Sequence, residues 1–320
     1  MRLSVRALAL VLTSLLVGAC AQNPILDEEV AALPQAVNLQ SVPFFAQDQY
    51  QCGPAALAAT LTHRGTPVTP EQLVPQVYLP GRKGSLQIEM VAAARSYDSL
   101  VYPIAPSLNA LFKEVAAGNP VLILQNLGTQ LMPVWHFAVV VGYDLPNARV
   151  LLRSGVEKNH WMALRTFDKT WARAERWAVL TLAPNQVAAT AKPEVWLQAA
   201  SDLEQVGQHK SAAIAYQTAT QTWPEQGHGW FAYANQQYAK GDKTQALSSM
   251  QQAITVTPTL AAAWYNLAWM QAEHGCTQQA RTAAQCAQQL APDDARFKKA
   301  LPAASHAATC SALPACPKAP

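Results

Sequence analysis

Apolar positions along the chain change their spacing three times, and each change marks a different kind of element. Residues 7–17 form an apolar core of eleven residues behind Arg2 and Arg6. That run is too short to span a bilayer, which takes about 20 residues, and it reads as the core of an export signal. Helical spacing follows. Residues 52–64 open with Pro54 in the first turn and continue through helix formers, so Cys52 is expected at a helix start. Thr69-Pro70-Glu71 marks another helix start, and Leu86, Met90, Val91 and Ala94 fall on one face of residues 85–96. Residues 107–117 predict a further helix, stopped by Gly118-Asn119. The pattern then shortens to strand-length runs at residues 121–124, 137–143, 150–153 and 177–182. Helices first and an antiparallel sheet afterwards predict an α+β domain.

From residue 193 onward the spacing becomes a repeat. Trp196, Trp230 and Trp264 stand 34 residues apart, and so do Gly207, Gly241 and Gly275. Ala212, Ala246 and Ala280, then Ala219, Ala253 and Ala287, then Pro224, Pro258 and Pro292 keep the same register. Small Ala residues let paired helices approach closely, and stacking buries Trp and Leu faces that one repeat cannot bury alone. These columns over residues 193–292 resemble the tetratricopeptide repeat. The resemblance implies an all-α solenoid that binds a protein partner, with Trp230, Tyr233, Trp264 and Asn266 as candidates for its inner or packing faces. Residues 293–309, with Phe297 and Leu301, are expected to form a terminal capping helix.

Composition narrows the function. Charged residues make up 13 % and the net charge is +3, without basic clusters, so nucleic acid is not an expected partner. The run Leu16-Val17-Gly18-Ala19-Cys20 resembles the lipobox of bacterial lipoproteins. That implies a lipidated Cys20 as the mature N-terminus, and Ala21 in place of Asp implies the outer membrane, facing the periplasm. Of the other cysteines, Cys276, Cys286, Cys310 and Cys316 can form two disulfides in three pairings in an oxidising compartment. Cys310 and Cys316 are close enough to close a small loop. His160, His209, His228, His274 and His306 lack ligand spacing and read as surface residues; no metal or cofactor is expected.

Cys52-Gly53-Pro54-Ala55-Ala56-Leu57 and the later Trp135-His136-Phe137-Ala138-Val139-Val140-Val141-Gly142-Tyr143 carry the candidate chemistry. A thiol at a helix start can have its pKa lowered from about 8.5 into the range of roughly 3.5–7.5. With the upstream Val42-Pro43-Phe44-Phe45-Ala46-Gln47-Asp48-Gln49-Tyr50-Gln51, these segments resemble the papain-like cysteine peptidases that process double-glycine leader peptides. The resemblance covers residues 40–182. It implies Cys52 as nucleophile, His136 as general base, and an upstream Gln in the oxyanion hole, here Gln47, one residue nearer the Cys than is usual. A turn centred on Pro146 places residues 154–156 opposite His136. The family's Asp on that return strand is absent from Leu152-Arg153-Ser154-Gly155. Ser154 can accept a hydrogen bond from the ring, Arg153 would oppose an imidazolium, and Glu157 and Asn159 are further candidates if the strand is bulged. Trp135 is a candidate wall of a substrate subsite, with a plain packing role the alternative.

The expected organisation is a signal peptide at residues 1–19, a tether at 20–40, the papain-like domain at 41–182 and a linker at 183–192. Three repeats at 193–292 and a Cys-containing tail at 293–320 complete it. The expected function is a membrane-tethered, exported thiol peptidase acting on a peptide or protein through Cys52 and His136. A catalytically inactive adaptor of the same architecture is the alternative.

Overall fold

The computed structural model describes residues 24, 26–46, 51–303 and 309–318. The chain forms two compact units. The first comprises residues up to 94, 103–181 and 188–190; the second comprises 95–102, 182–187 and 191 onward. No described helix is long and apolar enough to cross a membrane.

The first unit opens with a short helix α1 (Glu28–Ala31) and strand β1 (Ala36–Asn38). Helices α2 (Cys52–His63), α3 (Pro70–Val77) and α4 (Gln87–Ser96) follow; strand β2 (Leu100–Pro103), most of which belongs to the second unit, comes next in the chain, and α5 (Leu108–Ala116) returns to the first. The remaining elements are β3 (Val121–Asn126), β4 (Trp135–Asp144), β5 (Arg149–Ser154), β6 (Glu157–Ala163), α6 (Leu164–Ala172) and β7 (Ala178–Leu182). Antiparallel strands run in the order β7-β3-β4-β5-β6, and β1 also pairs with β4. All of β3 is buried, as are residues 137–143 of β4, which explains their unbroken apolar runs. Helix α2 is apolar all round, with every residue from Gly53 to Leu61 buried, and it packs against β4.

Several expectations change here. The tether does not reach residue 40: residues 36–38 are a sheet strand, paired Ala36↔Asp144 to Asn38↔Gly142. A Cβ at Gly142 would come within 2.2 Å of the Val37 carbonyl oxygen, so this close approach requires glycine. Nor is 183–192 one free linker. Glu114, fully buried on α5, accepts hydrogen bonds from the Ala189 N–H (3.1 Å), the Thr190 N–H (2.7 Å) and the Thr190 hydroxyl (2.6 Å). The Asn119 amide donates to the same carboxylate at 2.7 Å, and Arg64 donates to Asn119 at 2.6 Å. Residues 188–190 are thereby fixed to the first unit.

The second unit contains three helix pairs. These are α7 (Pro193–Gln205) with α8 (His209–Thr222), α9 (Gly227–Lys240) with α10 (Lys243–Val256), and α11 (Ala261–Glu273) with α12 (Thr277–Leu290). Their starts recur at the 34-residue step of the Trp column. Buried Ala residues line the pairs, and Gly207, Gly241 and Gly275 adopt the left-handed conformation at the turn inside each pair. The Trp and Pro columns are linked physically. Trp230 Nε1 donates to the Pro224 carbonyl at 2.8 Å, and Trp264 Nε1 donates to that of Pro258 at 2.7 Å.

The expected capping helix is replaced by a single 3-10 turn (Ala295–Lys298). Beyond it the chain is held covalently, by Cys276–Cys310 and Cys286–Cys316, rather than by a small 310–316 loop. Leu313 and Cys316 pack on the apolar cluster around Trp264 and Leu267. Side-chain burial on the last pair does the work of a cap without needing helix formers in a Pro- and Ala-rich tail.

Candidate active site

Cys52 is the first residue of α2, and no side chain caps that helix. Pro54 has no N–H, so the backbone N–H groups of Cys52 and Gly53 remain to serve negative charge at the helix start. His136 lies near the beginning of β4, one residue after Trp135. Cys52 and His136 line one cleft of about 880 Å³, together with Ser85, Trp135 and Phe137. Trp135 forms part of the wall and is 54 % exposed.

Strand pairing places Val139 opposite Arg153 and Val140 opposite Leu152. Alternation then sends Ser154 to the face of His136 and Arg153 to the other. His136 Nε2 and Ser154 Oγ are 2.8 Å apart. In the tautomer that donates from Nε2, Nδ1 carries the lone pair and is the ring atom that can serve a thiol. Arg153 does not oppose the imidazole. It is buried, donating to the carbonyls of Val42 (3.3 Å) and Lys158 (2.7 Å) and to Asn159 Oδ1 (2.7 Å). Strand β5 is irregular against β6 between Leu152 and Ser154, yet neither bulge candidate reaches the ring. Asn159 is taken by Arg153, and Glu157 pairs with His160 Nδ1 at 2.9 Å. Asp144, at the far end of β4, is bound to Asn147 and Arg149. Gln47 and Cys20 lie outside the described residues.

The electrostatics reverse one expectation. Burial pushes the Cys52 thiol up, and this outweighs the N–H groups of Phe137, Gly53 and Cys52 itself, which favour the thiolate. The helix start is therefore not sufficient to make Cys52 acidic, because the thiol is enclosed. Burial also pulls His136 down to about 4, with a smaller push from His160. Both shifts favour the neutral form, of the thiol and of the imidazole, in the cleft that the two residues share. Among the described residues no cluster of three or more His, Cys, Asp or Glu could hold a metal ion.

The loop between β3 and β4 shapes one rim of the cleft and was not foreseen from sequence. Asn126 Oδ1 accepts from the N–H groups of Gly128 and Val134, both at 3.0 Å, and Arg173 donates twice to the Asn126 carbonyl. The Gly128 position admits no side chain, since a Cβ would meet the Met132 carbonyl at 2.2 Å. So braced, the loop holds Leu131 and Met132 in solvent, 94 % and 74 % exposed.

Residues 39–179 match the family model described as "Peptidase_C39 like family". Several solved structures are similar to this chain. One is a putative C39-like peptidase from Bacillus anthracis, 20 % identical, covering 47 % of this chain and 98 % of its own, at TM-score 0.38. A double glycine motif protease from an AMS/PCAT transporter, solved with its leader peptide, is 21 % identical and covers 46 % of this chain and 96 % of its own, at TM-score 0.33. The peptidase domain of Streptococcus ComA, a bifunctional ABC transporter, is 21 % identical and covers 44 % and 98 %, at TM-score 0.35. Likenesses of this size carry no argument beyond the family match. No curated protein matches the chain. The segment 39–179, which carries Cys52, His136 and Ser154, is thus the part of the chain that matches a cysteine peptidase family.

Proposed function

We propose that the first unit is a thiol peptidase in which Cys52 attacks a peptide carbonyl and His136 moves the proton. The observation that carries this reading is the shared cleft of Cys52 and His136, with Ser154 2.8 Å from Nε2. The thiol proton passes to Nδ1 as sulfur bonds to the carbonyl carbon, and the oxyanion forms near the helix-start N–H groups. The imidazolium then gives its proton to the departing amine, leaving a thioester. Water, deprotonated by the same nitrogen, cleaves the thioester and restores the thiol. Ser154 accepts from Nε2–H throughout and keeps the ring in one tautomer, the task a carboxylate performs in triads. A neutral hydroxyl stabilises the imidazolium less than a carboxylate does, so a modest turnover is expected.

Gln47 is assigned as a further oxyanion donor. Cys20 is assigned as the lipidated N-terminus, which would hold the protein at the envelope of a bacterium, on the outer membrane facing the periplasm. The repeated helix pairs are read as tetratricopeptide repeats that recruit a protein substrate or partner; their 34-residue step and the Trp–Pro hydrogen bonds support that reading. Hydrolysis of a peptide library by the wild type, lost in Cys52→Ala and His136→Ala, tests the enzyme reading. Fatty-acid labelling of wild type against Cys20→Ala tests the anchor, and equal label in both would refute it.

One observation favours a second reading. A raised thiol pKa and a serine where a carboxylate would stand suit an inactive adaptor that keeps the fold and binds without cutting. Cys52 alkylation that is indifferent to His136→Ala, with no hydrolysis, would select the adaptor.

A further inference from the structure

The cleft wall contains a polar group that neither reading uses. Ser85 lies between the 3-10 turn Pro80–Arg82 and helix α4 and lines the same cleft as Cys52 and His136. Its Oγ is screened from solvent and has no hydrogen-bond partner among the described residues. It sits against Gly53, the residue after Cys52. A Cβ built at Gly53 would come within 2.3 Å of Ser85 Oγ and 3.1 Å of Met90 Sδ. The hydroxyl is therefore packed on the first turn of α2, beside the N–H groups at the helix start.

An unpaired buried hydroxyl costs about 1–3 kcal/mol, and an alanine here would fill nearly the same space without that cost. Arg64 Nε, Gln125 Oε1 and Tyr143 Oη of this unit are also buried without a partner, but of these atoms only Ser85 Oγ belongs to a residue that lines the cleft. A serine hydroxyl can donate and accept, and it turns about a single Cα–Cβ bond. One such turn takes Oγ from Gly53 towards the cleft that the residue lines.

We propose that Ser85 is a substrate-contacting residue of the Cys52 site: its hydroxyl, unpaired in the free protein, donates a hydrogen bond to a backbone carbonyl of the bound peptide. The inference rests on the reading of Cys52 as nucleophile. Its ligand is the peptide backbone itself, so the contact does not depend on substrate side chains. Gly53 is required by the close approach of residue 85 as a whole, since a Cβ at position 53 would also come within 2.7 Å of the Ser85 Cβ.

The test uses the full chain and two reagents that label Cys52. Acetyl-Gly-Gly chloromethyl ketone presents a peptide backbone without side chains; N-ethylmaleimide presents none. Ser85→Ala is expected to slow labelling by the ketone about 10-fold, the effect of one hydrogen bond worth about 1.4 kcal/mol. Labelling by the maleimide should stay within about twofold, and the melting temperature should hold or rise as the unpaired hydroxyl is removed. An unchanged ketone rate would overturn the proposal. So would a parallel loss with both reagents and a lowered melting temperature, which would mark Ser85 as structural. Failure of the underlying reading looks different. In that case the wild type would show no advantage for the ketone over the maleimide, and His136→Ala would change neither rate; that result would overturn the Ser85 contact with it.

Discussion

The Glu114 cluster and the Cys52 cleft both place polar side chains inside the first unit, and they treat them in opposite ways. Around Glu114 each carboxylate oxygen accepts two hydrogen bonds, from Thr190 at one oxygen and from Asn119 and Ala189 at the other, and Arg64 secures Asn119 from behind. Around Cys52 the helix start is uncapped, the thiol is held above its ordinary pKa, His136 is held below its own, and Ser85 is unpaired. The Glu114 carboxylate forms a satisfied network, with Arg64 Nε at its edge unpaired, and fixes the chain in place. An incomplete one keeps donors and acceptors in reserve for a group that arrives from outside.

The sharpest way to break this comparison is to remove one member from each side. Cys52→Ala should lower peptide hydrolysis by about 10⁴-fold or more while moving the melting temperature by no more than about 2 °C. A residual rate above that level would mean the cleft is not the site. Glu114→Ala should do the reverse. It leaves the Asn119 amide, two backbone N–H groups and a hydroxyl without their acceptor, and should cost on the order of 3 kcal/mol in urea unfolding. Hydrolysis by its folded fraction should stay within about threefold, and a larger loss would tie the cluster to the chemistry.

Acid titration sharpens the contrast further. With His136 held near pH 4, the acid limb of peptide hydrolysis should fall near pH 4, well below the ordinary value of about 6.5. The sign for stability follows from proton binding. Between pH 6.5 and 4 the unfolded chain takes up a proton that folded His136 does not, so stability falls as pH falls through that window. His136→Gln should remove this part of the acid loss. Ser154→Asp should move the limb upward, because a carboxylate favours the imidazolium, and should raise turnover about 10-fold. A limb that stays near pH 4 in that variant would show that residue 154 does not act on the ring. The smallest expected effect is in the second unit. Trp230→Phe removes the indole donor to Pro224 and should cost about 1 kcal/mol, with hydrolysis unaffected.

What sequence disclosed and what it hid follow a physical division. Helix α2, the apolar strand β4 and the 34-residue columns were legible because periodicity and end signals are local properties of a chain. The hairpin geometry that brings Ser154 to His136 was also legible, since turn position and strand alternation fix it. The same alternation, followed one residue further, sends Arg153 to the opposite face, where a sequence-level concern about charge had placed it near the ring. Strand β6 was missed because its residues, Glu157 to Ala163, are largely polar and exposed. The disulfide pairing and the Glu114–Thr190 contact join residues that only the fold brings together. The direction of the Cys52 shift was hidden for a related reason. A helix start is visible in sequence, whereas the extent to which other elements enclose it is not.

The two bridges at the end of the chain interleave, Cys276 with Cys310 and Cys286 with Cys316, so each has one cysteine inside the loop closed by the other. A protease that cuts once between Ala291 and Thr309 would sever the backbone without freeing the piece beyond the cut. The nicked protein would migrate as one species until a reductant was added, and cleavage in this stretch would pass unnoticed on a non-reducing gel.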